Sequence, residues 1–227
     1  MPDQLSTARE FINFIRTGKT TDIRKPFREL VLLFTVLLVL RYAIVLVKAL
    51  LMEEDLLEFS EAEERLELSA VFSYILLIPL IEELLFRGFL DLRRKRSVIV
   101  FIGLAAIFGL FIYFRSDQFL FLGLFLILFV VYAYLRIDSF RHLVDGLLMR
   151  GYHLFVILSV LLFAGMHITN YDDYSVYTFM ALIPRVISGF YLAFIVTKYT
   201  IWHSWLMHAL NNTTPFLLIL AVDTFSK

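Results

Sequence analysis

Three charges interrupt an apolar run, "IPLIEELLFRGFL", between Ile78 and Leu90. An ionisable side chain at membrane depth costs on the order of 2.5–3.5 kcal/mol to insert, so Glu82, Glu83 and Arg87 are functional candidates by default. Helix spacing divides them. Glu83 and Arg87 are four apart, share a face in the favourable order and can neutralise each other. Glu82 is turned by about 100° from Glu83. Its own same-face neighbours are Pro79 and Phe86, so it has no local counter-charge. Pro79 removes a backbone donor and can kink the helix, opening room for water beside Glu82. Further along, "FAGMH" sets Phe163 and His167 four apart, and "HALNN" does the same for His208 and Asn212. Asn211 is expected to point elsewhere. His203 reads as structural, and His142 and His153 as solvated.

One carboxylate, two imidazoles and one amide can carry out hydrolysis. A buried glutamate can act as general base on a water and then as general acid. A histidine can share or polarise that water. A His–Asn pair can donate hydrogen bonds to the oxyanion of a tetrahedral intermediate. One Glu and two His also make up the ligand set of some catalytic zinc sites. The sequence has no HExxH to favour such a site and no GxSxG to favour a serine nucleophile. With no cysteine, thiolate catalysis, disulfides and Cys-ligated metals are excluded.

The elements that position these groups follow from composition. Of 227 residues, 60% are hydrophobic and 19% charged, with a mean hydropathy of +0.79. The charged share lies below the ~25% usual for soluble domains, which points to a polytopic membrane protein of all-α class. Zero net charge suggests no nucleic-acid partner. Runs long enough to cross about 30 Å of hydrocarbon are expected at about 29–52, 70–90, 98–114, 118–136, 152–168, 178–197 and 201–222. Residues 1–28 form a cytoplasmic or interfacial N-terminal segment, and 29–222 a single transmembrane helical domain. No cleavable leader is expected. Within the N-terminal segment, 5–16 suits an amphipathic helix with Leu5, Phe11, Ile12 and Ile15 on one side, or a solvated tail. Assigning alternate loops to the cytoplasm puts 14 Lys/Arg inside and three outside, counted from the sequence. The N-terminus is therefore expected in the cytoplasm and the C-terminus outside. Arg41 and Lys48 in the first span read as structural side chains reaching the interface. Arg185, next to Pro184, fits structure or function equally.

Read together, EExxxR at Glu82–Arg87, FxxxH at Phe163–His167 and HxxxN at His208–Asn212 resemble the signature of the CAAX protease and bacteriocin-processing (CPBP, or Abi) family of intramembrane proteases. The resemblance covers about residues 70–215 and implies a helical-bundle endopeptidase. It implies Glu82 and His167 as the water-activating pair, and His208 and Asn212 as the oxyanion pair. Glu83, Arg87 and Phe163 become supporting residues. No cofactor is expected, with zinc on Glu82, His167 and His208 as the alternative. The substrate would be a membrane-associated protein or peptide, and the setting a bacterial plasma membrane. Two other readings of the same chain are a non-catalytic bacteriocin-immunity or interaction protein on this scaffold, and a transporter.

Overall fold

A computed structural model of the chain describes residues 4–20, 27–52, 71–91, 129, 132–170 and 176–225. The fold is all-α, and no strand occurs among the described residues. In chain order the helices are α1 (Gln4–Thr17), α2 (Phe27–Met52), α3 (Ile78–Arg87), α4 (Asp138–Arg150), α5 (Tyr152–Met166), α6 (Val176–Lys198) and α7 (Ile201–Phe225). A π-helical turn, Ser73–Leu77, leads into α3, and 3-10 turns follow α3 (Gly88–Leu90) and α5 (His167–Asn170).

Five of the expected apolar runs coincide with described helices. The runs at 98–114 and most of 118–136 lie outside the described residues, as do the loops at 53–69, 92–97 and 115–117. Among the described residues no single helix is long and apolar enough to cross a membrane. The pair α4 and α5 passes together, bent by 78° at the break. The segment 137–151, expected as a basic loop, is helical instead. Asp138 sits in its first turn and Arg150 in its last, each matching the helix dipole.

The N-terminal helix docks onto the bundle. Phe11 and Phe14 are buried and meet the Phe194 ring at 5.6 Å each, and Phe11 also meets Tyr191. Between these layers Lys198 pairs with Glu10, both buried. Ile12, grouped with Phe11 by sequence pattern, faces outward. The helix stops at Gly18, whose φ of 68° favours glycine, and its N–H closes on the Phe14 carbonyl at 2.7 Å. A Cβ at Gly18 would also come within 3.0 Å of the His153 backbone. His153, expected to be solvated, is half-buried, and its Nε2 lies 3.0 Å from the Ile15 carbonyl.

The core runs through α1, α2, α5, α6 and α7, with Leu30, Val160, Phe194 and Met207 fully covered. In lipid such contacts act by close packing, since hydrocarbon solvates apolar groups as well as a neighbouring helix does. Close packing explains Gly189 in α6: a Cβ there would meet Val160 of α5 at 3.0 Å.

Candidate active site

Pro79 shapes the approach to the site. Ahead of it the helix widens to a π turn, with the Ile78 N–H reaching the Ser73 carbonyl. Continuing that pattern would require Pro79 to donate to Tyr74, which it cannot do. The side chain of Asn212 makes up the loss, with its Nδ2 donating to the Tyr74 carbonyl at 3.2 Å. Two residues on, the Leu76 carbonyl accepts from Trp205 Nε1 at 2.9 Å. Both donors come from α7, so a missing backbone donor in one helix is answered by side chains of another.

One turn later α3 carries the glutamates. Glu83 and Arg87 are fully buried and paired, as their spacing predicts. The structure adds two partners from α7. Ser204 Oγ lies 2.5 Å from Oε2 of Glu83, and His208 Nδ1 lies 2.9 Å from Oε1. Because the carboxylate accepts, Nδ1 of His208 carries hydrogen. Its other nitrogen, Nε2, lies 3.4 Å from Oε2 of Glu82. One imidazole therefore bridges the two adjacent carboxylates, and it is the company from another helix that Glu82 lacks locally.

Phe163 seats this network. The Arg87 guanidinium lies over its ring at 4.2 Å, an arrangement that favours the cation. The rings of His167 and His208 stand edge-on to it at 4.9 and 5.6 Å. A single aromatic thus contacts the cation and both imidazoles, which gives the Phe of FxxxH a physical role. Ser159 ties α5 to α3 by donating to the Phe86 carbonyl at 2.6 Å. His167, at the C-terminal end of α5, has Nδ1 2.8 Å from the Phe163 carbonyl. That carbonyl can only accept, so Nδ1 carries the hydrogen and Nε2 holds the lone pair.

A cavity of about 60 Å³ opens beside the imidazoles, with room for a few waters. His167, His208 and Asn212 line it, together with Arg41, Arg185 and Asn211. Glu82 is not among its lining residues and adjoins it through His208. Three of the four residues chosen by spacing therefore border one space, and the fourth joins by one contact. The grouping differs from the sequence reading in detail, because Glu82 meets His208, the residue assigned to the oxyanion pair. Among the described residues, no three His, Asp or Glu side chains are gathered to hold a metal ion.

Sequence reasoning missed several participants. Asn211 borders the same cavity, contrary to expectation, since it is three residues from His208 and i+3 neighbours share a face as i+4 neighbours do. Ser204 is four residues before His208, so the same rule would have found it. Arg41, read as reaching the interface, instead donates through Nη1 to Asn211 Oδ1 at 2.8 Å. No local signal reveals that pairing across 170 positions. The side chain of Lys48 lies outside those described. His203 plays the local part expected, with Nδ1 2.8 Å from Thr200 at the start of α7.

No curated protein and no solved structure matches the chain. Residues 139–214, which include the FxxxH and HxxxN motifs, are similar to the family model described as type II CAAX prenyl endopeptidase Rce1-like, in line with the resemblance carried by the three motifs.

Proposed function

We propose that this protein is an intramembrane endopeptidase that hydrolyses a peptide bond in a membrane-associated protein or peptide, with Glu82 activating the water. The observation that carries the reading is the bridge made by His208 between Glu82 and Glu83, at the edge of a cavity that also holds His167 and Asn212. Water in this cavity would attack the scissile carbonyl carbon, with Glu82 and the Nε2 lone pair of His167 as acceptors for its proton. The carbonyl π electrons move onto oxygen, forming a tetrahedral oxyanion. His208 and Asn212 supply the donors for it. A doubly protonated His208 balances Glu82 as Arg87 balances Glu83, and its Nε2–H serves as one donor. As the intermediate collapses, the C–N bond breaks and the proton held by Glu82 passes to the departing amine. Glu83, Arg87, Ser204 and Phe163 hold the bases in register.

The charge asymmetry of the loops supports a cytoplasmic N-terminus and an external C-terminus. No metal takes part in this reading, and a chelator leaves the activity unchanged. The test compares membrane fractions of cells carrying the wild-type chain with cells carrying Glu82→Gln or His167→Ala. Proteomics should find new C-terminal fragments only with the wild type, and on a substrate so identified each variant should lose about 100-fold or more in rate. Unchanged cleavage in both variants refutes the proposal. A non-catalytic immunity or interaction protein would instead keep its full biological effect in both.

A further inference from the structure

The corner between α4 and α5 keeps its backbone bonded. The chain turns by 78° at the Gly151 break. The Gly151 N–H still closes on the Leu147 carbonyl at 3.0 Å, and the Phe155 N–H on the Gly151 carbonyl at 2.9 Å. Glycine suits the corner, since a Cβ there would press on the Phe155 ring at 3.1 Å. Beyond it, α5 buries Val156, Ser159, Val160 and Phe163 in the bundle. It turns Leu154, Leu158, Leu161 and Leu162 outward. Those four follow the helical period and form one apolar stripe, the kind of face a membrane helix shows to hydrocarbon. With α5 upright in the bilayer, a helix at 78° to it lies nearly in the membrane plane.

The composition of α4 suits that plane and not the hydrocarbon. Its 13 residues include Asp138, Arg141, His142, Asp145 and Arg150, and ionisable groups are costly in the bilayer core. Its apolar residues nevertheless gather on one side. Leu148 packs against the core, while Leu143 and Leu147, four apart, stand 58% and 56% exposed. The roll of the helix is fixed from within by Leu148 and by the Tyr134 hydroxyl, which donates to Asp145 Oδ1 at 2.8 Å. The leucine edge is therefore presented outward by the fold. Arginines bracket it. Arg136 is exposed two residues before α4, and Arg150 is exposed at its end, one turn after Leu147. Arg141 engages Asp138 at 2.5 Å. The loop alternation expected from the sequence puts this segment on the cytoplasmic side, where the leaflet carries anionic lipid.

We propose that α4 is an interfacial helix that docks on anionic phospholipid. Its Leu143–Leu147 edge seats in the boundary between headgroups and acyl chains, and Arg136 and Arg150 meet the anionic headgroups. The occupant of this face is the bilayer's own surface. The inference needs α5 to lie in the membrane and is independent of the hydrolase reading.

The chain has no cysteine, so single cysteines can be labelled without other changes. His142→Cys, Leu143→Cys, Leu147→Cys and Leu158→Cys, all exposed positions, each receive a nitroxide. The full-length chain is placed in nanodiscs of phosphatidylcholine and phosphatidylglycerol. Collisions with oxygen and with a water-soluble nickel chelate report the depth of each label. Labels at 143 and 147 should favour oxygen and sit about 5–10 Å into the headgroup and acyl boundary. The label at 158 should lie deeper, and the label at 142, on the polar side, should favour nickel. Three results overturn the proposal. Labels at 143 and 147 as open to nickel as the label at 142 mean that α4 stands in water. Labels there that are shielded from both reagents mean that protein covers the edge. Labels as deep as the one at 158 mean that α4 is half of a broken span.

The lipid is identified by a fluorophore at Leu147→Cys, quenched by spin-labelled phosphatidylglycerol or phosphatidylcholine at equal content. Three arginines against two aspartates leave one net positive charge over residues 136–150. Phosphatidylglycerol should therefore be enriched about fivefold at the label. Arg136→Gln with Arg150→Gln should bring the ratio to one or below, and Lys at both positions should keep most of it. Equal quenching by the two lipids, or a ratio that survives the double Gln variant, overturns the assignment of anionic lipid.

Discussion

Two buried ion pairs among the described residues, Glu10–Lys198 and Glu83–Arg87, serve different ends. Glu10–Lys198 joins α1 to α6, with the Lys198 ammonium 5.7 Å from the centre of the Phe194 ring. Glu83–Arg87 lies within α3, and its carboxylate also accepts from Ser204 and His208. Burial is almost complete in both, with side-chain exposures of 2% and 6% in the first and 0% in the second. Burial of charge therefore does not distinguish a seam from a site. What separates them is the next contact outward. The first pair sits beside the Phe194 ring, whereas the second passes through one imidazole to Glu82 and a cavity. A buried charge marks function here where its network ends at a space that a substrate can share.

Removing one member of either pair should have the largest effect. Arg87→Ala and Lys198→Ala each strand a buried carboxylate and should cost about 3–5 kcal/mol. Reversible unfolding in mixed micelles measures this. The comparison predicts that Lys198→Ala, assayed at low temperature where it remains folded, keeps its cleavage rate while Arg87→Ala does not. Equal activities in the two variants would break the distinction.

Removing both members sharpens it further. Glu10→Met with Lys198→Met replaces charge by volume-filling apolar groups and should leave stability unchanged or raise it by about 1–4 kcal/mol. Glu83→Met with Arg87→Met should be comparably stable, yet lose about 100-fold or more in cleavage, because His208 loses the acceptor that orients Nδ1. The smallest effect is expected at the end of α1. Gly18→Ala forces a Cβ into left-handed backbone and against His153, costing about 1–2 kcal/mol in the same unfolding assay. Cleavage should be unaffected, because α1 belongs with the seam and not with the site.

The helices were legible in the sequence because an apolar run is a local property. Described helices occupy the runs at 29–52, 70–90, 152–168, 178–197 and 201–222. Segment 137–151 was read as a loop because it is polar, but polarity excludes the hydrocarbon core and not helix. The pairing of Glu83 with Arg87 was also legible, since the two are four residues apart on one helix. Phe163 with His167, and His208 with Asn212, could be grouped for the same reason.

What lies between helices was not written in any such interval. Spacing says that Glu82 has no partner on its own helix, but it cannot say that His208 of α7 is the residue that reaches it. Nor can it say that this same ring also holds Glu83. Pro79 announces a disturbed helix, yet only the packing of α7 against α3 decides that Asn212 and Trp205 take the carbonyls there. Arg41 reads as a side chain reaching the interface, and Arg185 as structural or functional alike, until α2 and α6 bring them to one cavity. The sequence by itself determined the helices, the intrahelical pairs and the residue types able to activate water, since these depend on chain-local periods of three and four. The tertiary structure alone decided which carboxylate meets which imidazole and which cations border the cavity, since those distances depend on how separate helices pack.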